Sequence, residues 1–192
     1  MTKLNELPTL PFHSKKKWAD WLAKQHDKSA GVWVKIAKKG TGILSVTHEE
    51  ALDVALCYGW IDGQKGSFDE KYFLQKFTPR RPKSIWSKIN TEKVKRLIAS
   101  GKMKPAGLKA IEAAKQDGRW DAAYEGQKSI SVPEDFQAAL DKNKNAKAFF
   151  ATLNSANRYA FLFRIQTAKK AETREKRIRQ FVEMLARGER FH

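Results

Sequence analysis

Between Phe77 and Asn90 the chain reads Phe-Thr-Pro-Arg-Arg-Pro-Lys-Ser-Ile-Trp-Ser-Lys-Ile-Asn, a stretch that crowds groups able to hold an anion. Pro79 and Pro82 stiffen the backbone, so Arg80, Arg81 and Lys83 are expected to be displayed with less entropy to lose on binding. Ser84, Ser87 and Asn90 add polar side chains beside a helix start, whose free N–H groups suit an oxyanion. Lys88 adds another positive charge. Trp86 has two readings, as a ring for stacking or as part of the core. Residues 77–104 hold nine basic residues and one acidic, so nearly half of the formal charge of +17 falls in this short segment.

Upstream, Trp60, Asp62 and Gln64 lie on an expected strand that can face the arginine loop. Asp62 either meets a ligand hydroxyl or pairs with Arg80 or Arg81. A second basic cluster runs from Arg164 to Arg179 and includes Lys169, Lys170, Arg174, Lys176, Arg177 and Arg179. Arg174 stands four residues before Ile178 and so shares its helical stripe. It either points inward onto a carboxylate or bound anion, or sits at the wet start of the helix.

Signs of catalysis are absent from the sequence. Cys57 falls near a helix C-terminus, where the dipole disfavours a thiolate, and reads as a small buried residue. His13, His26, His48 and His192 show no metal-ligand spacing with Cys57 or with one another. There is no phosphate-binding P-loop, dinucleotide fingerprint or nucleophile elbow. No cofactor, no metal and no catalytic residue is expected.

The elements that must position these groups divide the chain. Leu7–Phe12 reads as an edge strand, since its prolines cannot all donate to a central ladder. Ser14 caps a helix with Trp18, Trp21 and Leu22 on one face. Val32, Val34 and Ile36 alternate along a strand. Thr47-His48-Glu49-Glu50 is a capping box for a helix that stops at Gly59. Trp60–Lys65 and Lys71–Phe77 form two further strands, completing an antiparallel α+β layer. From Ser84 the period turns helical: a helix capped by Asn90 with Val94, Leu97 and Ile98 inward, and one from Pro105 with Leu108, Ile111 and Ala114. Others begin at Ser131, Asn143, Ser155 and Glu172, the last with a stripe of Ile178, Phe181, Val182 and Leu185.

The expected fold is therefore α+β, with a small antiparallel sheet and helices over residues 1–90 and an all-helical part over 91–192, which can pack as one unit. A length of 192 residues allows one domain or two small ones. A hydrophobic share of 41% and an aromatic share of 11% exclude a disordered chain. The single cysteine excludes an internal disulfide and fits a reducing compartment. The N-terminus shows no signal-peptide core, and no stretch approaches the roughly 18 apolar residues of a membrane helix, so a cytoplasmic location is expected.

Several segments are familiar together. Ala51-Leu52, Ala55 through Gly63, Phe77–Arg80 with Ser84–Asn90, Gly118-Arg119-Trp120 with Ala123-Tyr124, and Ala168–Arg174 with Arg177-Ile178 resemble the bacteriocin-protection, YdeI/OmpD-associated family. The resemblance implies a role in protection against envelope-acting agents and an association with an outer-membrane porin. It supplies no reaction. Three function classes follow: a non-catalytic stress or protection protein holding an anionic ligand through the basic loop, a nonspecific nucleic-acid binder using both basic clusters, and an enzyme acting on a small anionic substrate in a cleft beside Trp60.

Overall fold

The computed structural model describes residues 7–191; Met1–Glu6, part of the N-terminus read for a signal peptide, and His192 lie outside them. Eight helices and one four-stranded sheet are present among the described residues, an α+β fold. They group into two compact units, residues 7–86 with 90–122, and residues 87–89 with 123–191.

In the first unit, the Ser14 hydroxyl accepts the Lys17 N–H and starts α1 (Lys15–Gln25). Trp18 and Leu22, one turn apart, are fully buried, and Trp21 stacks on Trp18 at 5.4 Å. Strand β2 (Val32–Ala37) buries Val32, Val34 and Ile36 on one face. Helix α2 (His48–Cys57) opens with the expected capping box: Glu50 N–H donates to the Thr47 hydroxyl, and the Glu50 carboxylate accepts from Thr47 N–H. Strands β3 (Trp60–Ser67) and β4 (Tyr72–Pro79) form a hairpin. Its turn is held by the Asp69 carboxylate, which accepts the N–H groups of Lys71 and Tyr72 at 2.8 and 2.7 Å.

The sheet order is β1-β2-β4-β3, with β1 (Thr9–Pro11) at one edge. The β2/β4 and β3/β4 pairs are antiparallel, but β1 runs parallel to β2. Parallel neighbours need a crossover, and α1, between β1 and β2 in sequence, supplies it. The inner face of Val32, Val34, Ile36 and Phe77 carries the helices: the Trp18 indole N–H donates to Ala51 carbonyl at 3.0 Å, and its ring packs 5.4 Å from Phe77. Trp33, Lys35, Tyr72, Leu74 and Lys76 stand on the opposite face, half-exposed. A bulge between Asp62 and Lys65 interrupts the β3/β4 ladder. The buried Gln75 amide donates to the Gly63 and Gln64 carbonyls there, at 2.9 and 3.3 Å.

Helices α3 (Lys88–Ala99, in this unit from Asn90 onward) and α4 (Pro105–Gln116) also belong with the sheet. Asn90 lies inside α3 rather than capping it, because the helix begins two residues earlier. Ile98 faces solvent, while Val94 and Leu97 are buried. The Lys93 ammonium reaches between Asp53 and Glu49 of α2, at 3.2 and 3.4 Å. In α4 the buried stripe is Gly107, Ile111 and Ala114, and Leu108 is exposed. The reason is a backbone contact. A Cβ at Gly107 would fall 2.3 Å from the Cys57 carbonyl, so only glycine lets α4 lie so close to the end of α2. With Gly107 fixed inward, Leu108 is turned about 100° away.

The second unit holds α5 (Glu134–Asp141), α6 (Lys144–Thr152), α7 (Ser155–Gln166) and α8 (Ala171–Ala186). Asn143 and Asn154 cap α6 and α7 through their side-chain oxygens. Phe136, Phe150, Phe161, Ile165, Phe181 and Leu185 form the core, with Val182 packed partly against it. No helix among the described residues is long and apolar enough to cross a membrane.

Candidate functional site

The site begins where α2 ends. Gly59 takes φ of +73°, which a glycine adopts without strain, and sends the chain into β3 at Trp60. The Trp60 indole N–H donates to the His26 carbonyl at 3.0 Å, and its ring meets Trp21 edge-on at 5.9 Å, tying the strand start to the end of α1. Across the sheet Trp60 pairs with Pro79, and Arg80 N–H donates to the Gly59 carbonyl at 2.9 Å. Pro79, Arg80, Arg81 and Pro82 thus leave β4 beside Trp60. Helix α4 closes the other side, with Ala106, Lys109, Ala110 and Ala113 facing the gap. The result is an open cleft of about 420 Å³.

Its chemistry is lopsided. Arg80, Arg81, Lys109 and Arg119 line it together with Asp27, His26 and proline and alanine side chains. Arg81 and Lys109 are exposed. Arg119 is clamped: its Nε lies 2.8 and 2.7 Å from the Asp117 carboxylate oxygens, and Nη1 donates to the Ser84 carbonyl at 2.8 Å. Burial pushes the Tyr58 phenol above its ordinary range, with Cys57 and Asp20 adding to the effect, so this lining hydroxyl stays protonated near neutrality. The arrangement suits a small ligand with an acidic group and an apolar body.

The loop differs from the expectation of three displayed cations. Arg80 is folded back, its guanidinium 3.6 Å over the Trp86 ring and its Nη2 donating to Ile85 carbonyl at 2.7 Å. Trp86 itself is 1% exposed and packs on Trp120 at 5.1 Å, which makes it core and not a stacking ring for a ligand. Ser84 is structural: its hydroxyl accepts Arg81 N–H at 2.9 Å and its N–H returns to the Arg81 carbonyl. Lys83 is exposed in that turn, outside the cleft lining.

Asp62 pairs with neither arginine. Its carboxylate meets His48 Nε2 at 3.1 Å, because β3 points it toward the first turn of α2. Gln64 is exposed on the bulge. Asn90 sits on α3, away from the cleft lining. Ser87, Lys88 and Arg174 belong to the second unit. There Lys88 N–H donates to the Tyr124 carbonyl at 2.8 Å, so a helix N–H expected to be open to an anion is taken, and the Lys88 ammonium meets Glu125 at 2.8 Å. Of the expected set, Trp60, Arg80 and Arg81 share the cleft. His26, Lys109 and Arg119 were missed as members; Arg119 carried a signal in the Gly-Arg-Trp motif, whereas Lys109 resembles any lysine on a helix.

The second basic cluster is partly used up inside the fold. Arg174 combines both readings: it lies in the first turn of α8, partly exposed, and grips the Asp135 carboxylate with Nε and Nη2 at 2.6 and 2.9 Å while donating Nη1 to the Ile165 carbonyl. Arg177 donates to Arg164 carbonyl, and Arg164 lies 4.0 Å from the Phe191 ring. Arg174 and Arg177 thus add guanidinium donors to carbonyls in the last turn of α7, the end that attracts positive charge.

The described residues include no group of three or more His, Cys, Asp or Glu placed to hold a metal. Burial, then Asp53, raises the Cys57 thiol above its ordinary range, which disfavours the thiolate form.

No curated protein and no solved structure matches the chain. Two family models do. One, described as a domain of unknown function (DUF8412), matches residues 10–110, and the other, described as bacteriocin-protection, YdeI or OmpD-associated, matches residues 129–188. Of the segments that suggested the resemblance, 168–178 falls within the second match, 51–63 and 77–90 fall within the first instead, and 118–124 lies outside both. The chain thus belongs to the DUF8412 family, whose model covers more than half its length, and its C-terminal helices are similar to the bacteriocin-protection, YdeI or OmpD-associated model.

Proposed function

We propose that this chain is a cytoplasmic, non-catalytic protection protein that holds a small anionic ligand in the cleft beside Trp60. The C-terminal match is consistent with a bacteriocin-protection role. The observation that carries the ligand reading is the meeting of Arg80, Arg81, Lys109 and Arg119 around one cleft with a single carboxylate, Asp27, in its lining. Arg81 and Lys109, exposed on opposite walls, make the first contacts with an acidic group. Arg80 and Arg119, held by Trp86 and Asp117, supply fixed positive charge behind them. The apolar walls accept the rest of the ligand. A porin partner enters this proposal only through the family description.

An amide NMR titration of the full chain with inorganic pyrophosphate tests it. Saturable shifts are expected at Gly59, Arg81 and the Trp60 indole N–H in 100 mM salt, weakened roughly fivefold or more in an R81A/K109A variant. An absence of saturable shifts at these groups, or unchanged affinity in the variant, would overturn the reading.

A further inference from the structure

We propose that the open face of the sheet is a docking platform for single-stranded nucleic acid, separate from the cleft. The strand registers place Trp33 and Lys35 of β2, Tyr72, Leu74 and Lys76 of β4, and Ile61 of β3 on one face, opposite the helices. Rings and ammonium groups alternate there. Lys35 Nζ lies 4.1 Å from the Tyr72 ring centre and 4.3 Å from that of Phe68, and Lys76 Nζ is 5.7 Å from Trp33. Phe68, at the hairpin tip, is 50% exposed, a large ring held in water.

The floor between these side chains is low because β3 contributes glycines. A Cβ at Gly66 would stand 3.8 Å from Leu74 Cβ and 3.9 Å from the Trp33 ring, and one at Gly63 would stand 3.8 Å from Lys76 Cβ. Both glycines therefore belong to this face and leave room over the strand for a flat group.

Charge selects the occupant. None of the strand residues facing this way is acidic: the Asp62 side chain is turned to His48, and Asp69, 4.0 Å from Lys35, stands at the hairpin rim beside Glu70. Interleaved lysines answer a polyanion, and Trp33, Tyr72 and Phe68 answer flat unpaired bases, which stack on aromatic faces with little regard to sequence. An acidic peptide would use the lysines but leave the rings without a partner, and a duplex keeps its bases stacked away from them.

The test uses the full chain and fluorescein-labelled oligothymidylate of 20 nucleotides, followed by anisotropy across a salt series. Two substitutions put a carboxylate on the platform without removing a core side chain: Lys76→Glu, and Gly66→Asp, whose Cβ meets only ordinary contacts. Each is expected to weaken single-strand binding on the order of tenfold while R81A/K109A leaves it within about twofold. Duplex of equal length is expected to bind several-fold more weakly. Thermal melts identify a variant that fails to fold, in which case the other carries the comparison. Equal binding of duplex and single strand, unchanged binding in the folded platform variants, or no binding to the unmodified chain would each overturn the proposal. Failure of pyrophosphate to bind the cleft leaves these outcomes unaffected, since the two surfaces share no residue.

Discussion

The Arg80 guanidinium carbon lies 3.6 Å from the centre of the Trp86 ring, and that one contact turns a loop arginine expected to be displayed into part of the fold. A planar cation over a ring is specific to arginine, because a lysine ammonium cannot stack in the same way. Arg80→Lys is therefore expected to cost about 1 kcal/mol and Arg80→Ala about 2 kcal/mol, read by urea denaturation. Intrinsic tryptophan emission of the alanine variant should shift to the red as Trp86 gains water.

Arg81 and Lys109 should behave in the opposite way. Both are exposed, so alanine at either position is expected to change stability by less than about 0.5 kcal/mol while lowering pyrophosphate affinity roughly threefold. Paired calorimetric and denaturation measurements separate the two effects.

Gly107→Ala is expected to be among the most damaging small substitutions. Its methyl would need space 2.3 Å from the Cys57 carbonyl, where two backbones meet and neither can swing aside. A loss on the order of 3 kcal/mol is expected, with Cys57 reacting faster with a thiol reagent as α4 lifts.

Lys93 offers a buried-charge test. Its side chain is 12% exposed between Asp53 and Glu49. Lys93→Ala leaves Asp53 beside Cys57 without its cation and should cost about 2 kcal/mol, less in a Lys93→Ala/Asp53→Asn double variant. Chemical denaturation of the four proteins of the cycle measures it.

The Asp135–Arg174 pair sets an acid limit for the helical unit. The Arg174 guanidinium, hydrogen-bonded to the carboxylate, holds Asp135 below its ordinary value. A carboxylate depressed on folding contributes stability above its unfolded pKa of about 3.9 and loses it as pH falls through the folded value. Asp135 is half-exposed, so the contribution is on the order of 1 kcal/mol or less. The stability gap between the unmodified chain and Asp135→Asn should be full at pH 7 and close progressively below pH ~4.

The strands and helices were readable because their signals are local. Thr47 and Glu50 cap each other across one turn, and Val32, Val34 and Ile36 need only alternate. The parallel direction of β1 and the outward turn of Leu108 were not readable, since each depends on a partner distant in sequence. The site follows the same division. Arg80 and Arg81 announced themselves by composition, but Lys109 joins them only because Gly107 lets α4 rest on the end of α2. Composition also left roles open: it could not decide between core and stacking ring for Trp86, or tell that Asp62 on β3 would turn to His48.

The guanidinium groups that bind backbone carbonyls and rings divide labour between the two kinds of cation in this chain. Arginines at positions 80, 119, 164, 174 and 177 work as internal fasteners, whereas most lysines stand in water. Lys93 apart, surface charge and structural integrity are thus carried by chemically different groups. Acetylation of the lysines should strip the protein of its attraction for polyanions while leaving it folded, and an arginine-directed dicarbonyl reagent should do the reverse, opening the fold before the field is gone. A cell that acylates lysines could silence this surface reversibly, with no need to degrade the protein that bears it.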